Sequence, residues 1–156
     1  MKQIPLTKGK YALVDDEDYE FLNQWKWQVN SDGYAITGVR NQGERIQIRM
    51  HRLIINTPKG METDHINGNR LDNRRDNLRV ATKSQNLRNQ KKRKSLSLYK
   101  GLAYRKRDNA WEVNISDGSK QVFIGSFKNE RHAAMAYDIW AKELYGKFAK
   151  LNFSSI

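Results

Sequence analysis

The stretch METDHINGNRLDNRRDNLRVATKSQNLRN (residues 61–89) decides the fold of the N-terminal part of this chain. It reads as a short strand over residues 61–64, a loop over residues 66–76 rich in Asn, Gly and Asp, and a second strand over residues 78–81. Thr82 and Gln85 have the spacing of a capping box, which predicts a helix through about Asn89. The sequence therefore predicts the order strand, long loop, strand, helix.

The adjacent pair Asp64–His65 at the end of the first strand indicates chemistry. Histidine titrates near neutrality and can accept a proton, while a carboxylate can bind a hard divalent cation. If both face one phosphate, His65 can deprotonate a water while the cation stabilises the charge on the phosphate. Because neighbouring side chains of a regular strand point to opposite faces, we expect a bend at Asp64–His65. The alternative is a turn held by Asn side chains with a structural histidine.

The composition favours a nucleic acid as the partner. The 156 residues are 38% hydrophobic. They include 29 Lys and Arg but only 17 Asp and Glu, which gives a formal net charge of +12. Such an excess of one charge repels itself unless a polyanion is near, so DNA or RNA is the first candidate and an anionic membrane surface the second. The sequence has no cysteine, no apolar run near the roughly 18 residues of a membrane span and no signal-peptide core, which is typical of an intracellular protein.

The residues before this stretch predict a strand, a short helix and a β-hairpin. The acidic run Asp15–Asp18 suits the start of a helix better than a metal cluster, because the helix dipole favours negative charge there. The hairpin covers residues 31–55, with turns at Gly33 and Gly43. We expect His51 to follow on the second strand of this hairpin, in a structural or DNA-facing role rather than as a metal ligand.

The residues after the stretch predict a basic linker and a small α+β unit. Residues 88–107 hold nine basic residues and no acid, so the linker either lies along phosphates or is a solvated tether. Strands are predicted at residues 102–105, 111–116 and 121–127, followed by an amphipathic helix from Glu130 to Tyr145 that Gly146 ends. Its inner face would comprise Ala133, Ala134, Tyr137, Ala141 and Leu144.

The Asp-His stretch resembles the HNH nucleases with the ββα-metal fold, in the phage homing-endonuclease branch where asparagine replaces the last histidine. Asp64–His65, Asn77 twelve residues after His65 and Asn86 nine residues later match that branch in type and spacing. The resemblance implies that Asp64 and Asn86 bind a metal, that His65 is the general base, and that Asn77 pins the loop and orients His65. Oxygen ligands of this kind favour Mg²⁺ or Mn²⁺ over zinc. Residues 4–22 and 51–54 also look like the region that precedes this motif in phage HNH proteins.

The C-terminal part resembles the Apetala-two (ethylene-response-factor-like) DNA-binding domain, through Tyr-Lys-Gly at residues 99–101, Trp111, IGSF at 124–127, AAMAYD at 133–138 and LNF at 151–153. The resemblance implies a three-stranded sheet in the DNA major groove. Its groove-facing residues would be Lys100, Ala103, Arg105, Arg107, Asn114, Ser116, Gln121 and Phe123. Plant members carry Arg or Trp at four of these positions, so their target sequence does not transfer.

The sequence thus predicts an α+β protein in which an HNH nuclease domain (residues 1–88, with the ββα-metal motif at 59–88) precedes a basic linker (89–97) and an Apetala-two-like domain (98–153). The linker residues Lys91, Lys92, Arg93 and Lys94 would contact DNA phosphates. The predicted function is a metal-dependent, strand-nicking endonuclease of double-stranded DNA, phage-encoded and acting in the bacterial cytoplasm. We expect no membrane partner, no small-molecule cofactor and a monomer, with a dimer as the alternative state. The alternative function is a DNA-binding transcriptional regulator with a vestigial nuclease.

Overall fold

A computed structural model describes residues 1–41, 43–90 and 95–153, apart from the side chains of Asn41 and Arg45. It divides into two compact units, Met1–Asn86 and Leu87–Ile156. Both units combine helices with antiparallel sheets, so the predicted α+β class is confirmed. None of the helices in the described part of the chain has the length and apolar character needed to cross a bilayer.

The first unit contains three small antiparallel sheets, with the strand orders β1-β2, β3-β4-β5 and β6-β7. The helices α1 and α2 follow β2 and β5, and α3 follows β7. The bounds are β1 Lys2–Pro5, β2 Tyr11–Val14, α1 Asp16–Leu22, β3 Gln28–Val29, β4 Ala35–Asn41, β5 Glu44–Arg49, α2 Met50–Ile54, β6 Glu62–His65, β7 Leu78–Ala81 and α3 Lys83–Asn89. The boundary between the two units falls within α3.

One hydrophobic core holds the first unit together. Ile4 and Val14 come from the β1-β2 sheet, Leu22 from α1, Met50 from α2 and Leu78 from β7, and all five are buried. Burying a side chain of this size contributes about 1.5–3 kcal/mol relative to leaving it exposed. The β7 strand is thereby fixed to the core, and its antiparallel partner β6 with it.

The predicted order strand, loop, strand, helix is confirmed in β6, β7 and α3. Thr82 and Gln85 form the predicted capping box: Gln85 N donates to Thr82 Oγ1 at 3.2 Å, and Thr82 N donates to Gln85 Oε1 at 2.8 Å. These two bonds satisfy backbone donors that the first turn of a helix leaves unpaired. The start of α3 is therefore set by its own sequence.

The prediction that His51 continues the hairpin strand is wrong. The strand β5 ends at Arg49, and His51 is the second residue of α2. Met50 and Ile54 are both buried in the core, and their spacing of four residues suits one face of a helix. The apolar residues Ile46, Ile48 and Met50 alternate as in a strand, and only the core shows that Met50 belongs to the helix.

The second unit is a three-stranded antiparallel sheet, in the order β10-β9-β8, with one long helix packed on it. Its core includes Leu102, Val113, Ile115 and Tyr137. A β-bulge lies between Phe123 and Gly125. The bounds are β8 Leu102–Arg105, β9 Ala110–Ser116, β10 Gln121–Phe127 and α4 Glu130–Tyr145, which confirms the predicted strands to within one residue and the predicted helix.

Three signature segments of this unit meet at Asp138, which is buried. Its carboxylate accepts hydrogen bonds from the backbone N–H groups of Asn152 and Phe153, each at 2.8 Å, and from the Asn152 amide at 2.9 Å. The Asn152 Oδ1 accepts from the N–H of Lys100. Gly101 has φ +84, and a Cβ there would lie 2.0 Å from the Tyr137 ring. Hydrogen bonds and close packing thus join the Tyr-Lys-Gly, Ala-Tyr-Asp and Leu-Asn-Phe segments to one another.

The predicted inner face of α4 needs one correction. Ala133, Ala134, Tyr137 and Ala141 are buried as predicted, but Leu144 is 38% exposed and Asp138 is buried in its place. A helical pattern of apolar residues predicts that a carboxylate lies on the exposed face. Here three hydrogen bonds from the C-terminal segment compensate the burial of Asp138. The helix ends at Gly146, whose φ is +50, as predicted.

Candidate active site and DNA-facing surface

Asp64 and His65 are the last two residues of β6, and both are buried, at 3% and 5% exposure. Pairing with β7 aligns Asp64 with Arg79 and His65 with Leu78. The expected bend between Asp64 and His65 is therefore wrong, because the strand continues through His65 and the chain turns only at Ile66. Strand alternation directs Asp64 and His65 to opposite faces of the β6-β7 pair.

The Asp64 carboxylate forms an ion pair with Arg79. Arg79 Nε donates to Asp64 Oδ2 at 2.8 Å, and the terminal nitrogen of the same guanidinium lies 2.6 Å from that oxygen. Both side chains are largely removed from solvent, where charge-assisted hydrogen bonds are strong. A cation bound at Asp64 would share this carboxylate with Arg79 or displace the guanidinium.

Asn86 reaches the Asp64 face of β6 from the second turn of α3. Its Nδ2 donates to a carboxylate oxygen of Glu62. Glu62 precedes Asp64 by two residues, so both side chains lie on the same face of the strand. The two predicted metal ligands, Asp64 and Asn86, thus belong to one face of the β6-β7 pair.

The oxygen donors on this face suit a magnesium-type ion. Mg²⁺ is bound by one or two protein oxygens and completes its shell with water and substrate phosphate oxygens, and Asp64 with Asn86 offers such a partial set. Among the described residues, no group of three or more His, Cys, Asp or Glu could hold a metal ion. The residues present therefore fit Mg²⁺ or Mn²⁺ and do not fit a structural zinc.

His65 lies in a buried pocket among a histidine, a tyrosine and an amide. Its ring centroid is 5.0 Å from that of His51 and 5.9 Å from that of Tyr34. Its Nε2 lies 3.3 Å from Asn73 Oδ1. Burial lowers the pKa of His65 below its usual value, and the contact with Asn73 and the Asp64 charge oppose that shift. The imidazole is therefore neutral at physiological pH and can accept a proton.

His51 is the second histidine of this pocket, and its ring centroid lies 5.0 Å from that of His65. Burial, and to a smaller extent the neighbouring His65, Arg49 and Arg52, together lower the pKa of His51 to about 3. Its Nδ1 is buried and has no hydrogen-bond partner among the described residues. Its ring packs edge-on against Tyr34.

Asn77 fixes the loop between β6 and β7. Its Oδ1 accepts from Asn67 N at 2.9 Å, its Nδ2 donates to Asp72 O at 2.7 Å, and its carbonyl accepts from Ile66 N at 2.9 Å. Asn77 thus ties both ends of the loop together directly after His65. The amide next to the His65 ring is that of Asn73.

Two exposed arginines bring positive charge to the same pocket. The guanidinium groups of Arg49 and Arg70 lie 5.4 Å and 4.8 Å from the centroid of the Tyr34 ring. Arg70 also donates to the carbonyl of Asp32. Such cation–π contacts hold the two charges beside the histidines.

The outer face of the second unit's sheet carries most of the predicted groove-facing residues. Gln121 pairs with Ser116 and Phe123 pairs with Asn114, so these four side chains share one face, as alternation predicted. Phe123 is 60% exposed there. Arg105 lies on the adjoining strand β8, and its Nε donates to Glu112 at 2.7 Å. Ala103 is exposed on the same strand, and Arg107 is exposed in the β8-β9 turn.

Lys100 differs from the other predicted DNA contacts. Its ammonium group donates to the backbone carbonyls of Arg88 and Gln90, at 2.5 and 2.8 Å. Burial, and to a smaller extent the nearby Lys150, together lower the pKa of Lys100 to about 8. The lysine thus binds the C-terminal end of α3. The predicted phosphate contacts of the linker, Lys91, Lys92, Arg93 and Lys94, lie outside the described residues.

Sequence reasoning missed several side chains of the candidate site, among them Glu62, Asn73 and Arg79. Arg79 could have been found from the register of the two strands, because it pairs with Asp64. Glu62 could have been found from the alternation of β6. Asn73 carries no local signal, because its position depends on contacts with residues far along the chain.

Comparisons with known proteins bear on both units. Residues 56–88 match the family model described as HNH endonuclease. The chain is 28% identical over 151 residues to an uncharacterized HNH endonuclease, L560, of Acanthamoeba polyphaga mimivirus, covering 93% of this chain and 76% of that protein. It is 37% identical over 94 residues to Protein 3.8 of Escherichia phage T7, covering 60% of this chain and 77% of that protein. It is 39% identical over 61 residues to the AP2-like ethylene-responsive transcription factor TOE2 of Arabidopsis thaliana, covering 39% of this chain and 13% of that protein.

Proposed function

Since the chain belongs to the same family as Protein 3.8 of Escherichia phage T7 and contains an HNH endonuclease domain, we propose that it is a metal-dependent endonuclease of double-stranded DNA. It hydrolyses a phosphodiester with His65 as general base and one divalent cation. The observation that carries this proposal is the arrangement on β6: a buried Asp64 next to a buried His65, with Asn86 of α3 on the Asp64 face.

His65 takes the proton from the attacking water. Burial keeps the imidazole neutral, because it lowers the pKa of His65. A hydrogen bond from Nε2 to Asn73 Oδ1, 3.3 Å away, would hold one ring proton at Nε2 and make Nδ1 the basic nitrogen. The water oxygen bonds to phosphorus, its proton passes to Nδ1, and the bond from phosphorus to the departing sugar oxygen breaks.

Asp64 and Asn86 would hold the cation through a carboxylate and an amide oxygen. When bound, Mg²⁺ or Mn²⁺ stabilises negative charge on the phosphate and the departing oxygen. Because Asp64 and His65 point to opposite faces of the β6-β7 pair, a phosphate that both side chains serve would have to lie beyond the end of β6. Asn77 keeps this end open and rigid by tying the loop together.

The remaining basic and polar surface binds DNA. Arg49 and Arg70 bind backbone phosphates next to His65. The linker residues also bind phosphates, an assignment that rests on their charge alone: Lys91, Lys92, Arg93 and Lys94. The outer face of the β8-β9-β10 sheet enters the major groove, as β-sheet readers do. There Asn114 and Gln121 can form hydrogen bonds with adenine. Arg105 can do so with guanine if its hydrogen bond to Glu112 breaks when DNA binds. Lys100 contributes structure rather than a DNA contact.

One chain carries one general base and one cation site, so a monomer cuts one strand in each event. We therefore propose nicking as the primary reaction. A double-strand break needs a second copy of the chain or a second binding event. The viral and phage relatives support action on DNA inside a host cell.

The alternative function is a DNA-binding transcriptional regulator with an inactive nuclease. The ion pair between Asp64 and Arg79 favours this alternative, because it competes for the carboxylate that the cation needs. The likeness of the second unit to a transcription factor is compatible with both functions.

The test is the nicking of supercoiled plasmid DNA with Mg²⁺ and with EDTA. We expect Mg²⁺-dependent nicks, and a loss of about 10²- to 10⁴-fold in rate for His65→Ala with unchanged DNA binding, which is the typical effect of removing a general base. His132→Ala changes an exposed histidine of α4 and is the matched control. If the unaltered protein binds DNA and does not nick it with Mg²⁺ or Mn²⁺, the regulator is the correct function.

A further inference from the structure

Glu62 is the carboxylate that contacts the predicted metal ligand Asn86, and no role has been assigned to it. Its side chain is half-buried on β6, two residues before Asp64, on the same face of the strand. Asn86 Nδ2 donates to Glu62 Oε2 across 24 positions of sequence. The contact therefore joins β6 to α3 at the site where the cation is proposed to bind.

The chemistry of this contact fixes the orientation of the Asn86 amide. An ionised carboxylate can only accept hydrogen bonds, so the NH₂ group of Asn86 must face Glu62. The amide carbonyl Oδ1 then points away from Glu62. An amide binds a hard cation only through this oxygen, so the acceptor at Glu62 selects the orientation that a metal ligand needs.

We propose that Glu62 is a positioning residue that holds the Asn86 amide with Oδ1 directed to the cation of Asp64, without itself ligating that cation. The inference rests on the proposed function of Asp64 and Asn86. Hydrogen-bond partners of metal ligands commonly fix ligand orientation in this way, and their loss typically lowers metal affinity by about 10- to 100-fold.

The experiment measures Mn²⁺ binding to the full chain without DNA, from the electron paramagnetic resonance signal of free Mn²⁺. Glu62→Leu removes the acceptor and should weaken Mn²⁺ binding by about 10- to 100-fold. Glu62→Gln keeps an acceptor oxygen for Asn86 and should bind within about threefold of the unaltered protein. Glu44→Gln, at an exposed position on β5, is the control for loss of a carboxylate. Circular dichroism establishes that each variant is folded.

A double-mutant cycle distinguishes positioning from a general structural effect. Asn86→Asp provides a carboxylate, whose two oxygens are equivalent, so its orientation needs no partner. In the Asn86→Asp background, Glu62→Leu should therefore no longer weaken Mn²⁺ binding. A loss of the same size in both backgrounds would overturn the positioning role, as would a Glu62→Gln variant that binds as weakly as Glu62→Leu, because Glu62 would then be a ligand.

Asp64→Asn separates this inference from the proposed function. If Asp64→Asn leaves Mn²⁺ binding unchanged, the cation site itself is wrong and the proposed function fails at that step. If Asp64→Asn weakens binding and Glu62→Leu does not, the site is correct and only the role of Glu62 is refuted.

Discussion

His51 and His65 are both buried, and Nε2 of His65 lies 3.3 Å from the uncharged amide oxygen of Asn73. A buried imidazole favours the neutral form, because protonation would place a charge where water cannot solvate it. Burial accordingly lowers the pKa values of both histidines, that of His51 to about 3. The site thus contains imidazoles that are neutral and able to accept a proton at physiological pH. The same burial makes the folded chain less stable in acid.

This burial predicts acid sensitivity that depends on His51. Its pKa in the folded chain, about 3, is below the unfolded value of 6.5, so the unfolded chain binds more protons. The folded state therefore has its full stability above pH 6.5, and protonation of His51 in the unfolded chain lowers the free energy of unfolding as the pH falls toward 3. Between pH 6.5 and 5 the free energy of unfolding should fall by about 1 to 2 kcal/mol from this group.

Urea unfolding of the unaltered chain and of His51→Gln, at pH 7.5 and at pH 5, measures this loss. The variant should lose about 1 to 2 kcal/mol less than the unaltered chain. His132→Gln, at an exposed position of α4, should behave like the unaltered chain. An equal loss in His51→Gln would show that His51 is not the group that binds the proton.

At the scale of elements, the site depends on the placement of one short helix. The helix α3 has seven residues, a length at which an isolated helix is unstable in water. Two features hold its N-terminal end: the capping box of Thr82 with Gln85 and the contact of Asn86 with Glu62. Because Asn86 lies in the second turn, fraying of the first turn would move it.

We therefore expect Thr82→Ala to weaken metal binding, although the Thr82 hydroxyl accepts from the N–H of Gln85 and is not itself a proposed metal ligand. Loss of an N-cap hydroxyl costs about 0.5–2 kcal/mol, and the Mn²⁺ concentration at half-saturation should rise several-fold. Thr82→Ser keeps the hydroxyl and should bind Mn²⁺ like the unaltered chain. Unchanged Mn²⁺ binding by Thr82→Ala would mean that the contact with Glu62 alone holds Asn86 in place.

At the scale of the whole molecule, the two units have separate cores and, in the proposed function, separate tasks. The buried residues of the first core come from Ile4 to Leu78, and those of the second from Leu102 to Ala141. All proposed catalytic residues precede Leu87, whereas the groove-facing residues all follow it. The net charge of +12 supplies affinity for any DNA sequence, so site choice must come from specific contacts.

A chain of residues 1–96 should accordingly still nick DNA, more slowly and with poor site choice. A good base contact is worth about 1–3 kcal/mol of discrimination, so its loss should flatten the distribution of cleavage sites. The measurement is a cleavage-site profile on a long duplex for this fragment and for the full chain at one salt concentration. If the fragment keeps the same sites at the same relative rates, site choice lies in the first unit.

The sequence alone predicted those features that depend on neighbouring residues. The strand alternation of β9 and β10, the capping box at Thr82 and the end of α4 at Gly146 arise from local periodicity and backbone geometry. The Asp-His-Asn-Asn spacing and the Apetala-two-like signature predicted both kinds of unit for the same reason, because a motif is a local pattern. The roles of the individual site residues remain predictions that the experiments above test.

Only the tertiary structure decided which distant side chains meet. Met50 and His51 belong to a helix because the core buries Met50, and Asp138 is buried because Asn152 and Phe153 donate to it. Asn73 reaches His65 because its backbone N–H donates to Leu13 O at 2.8 Å, sixty residues earlier in the sequence. Glu62 reaches Asn86 because a strand and a helix pack together. Hydrogen bonds and ion pairs act over about 3 Å in space, and a linear pattern does not specify which residues the fold brings within that distance.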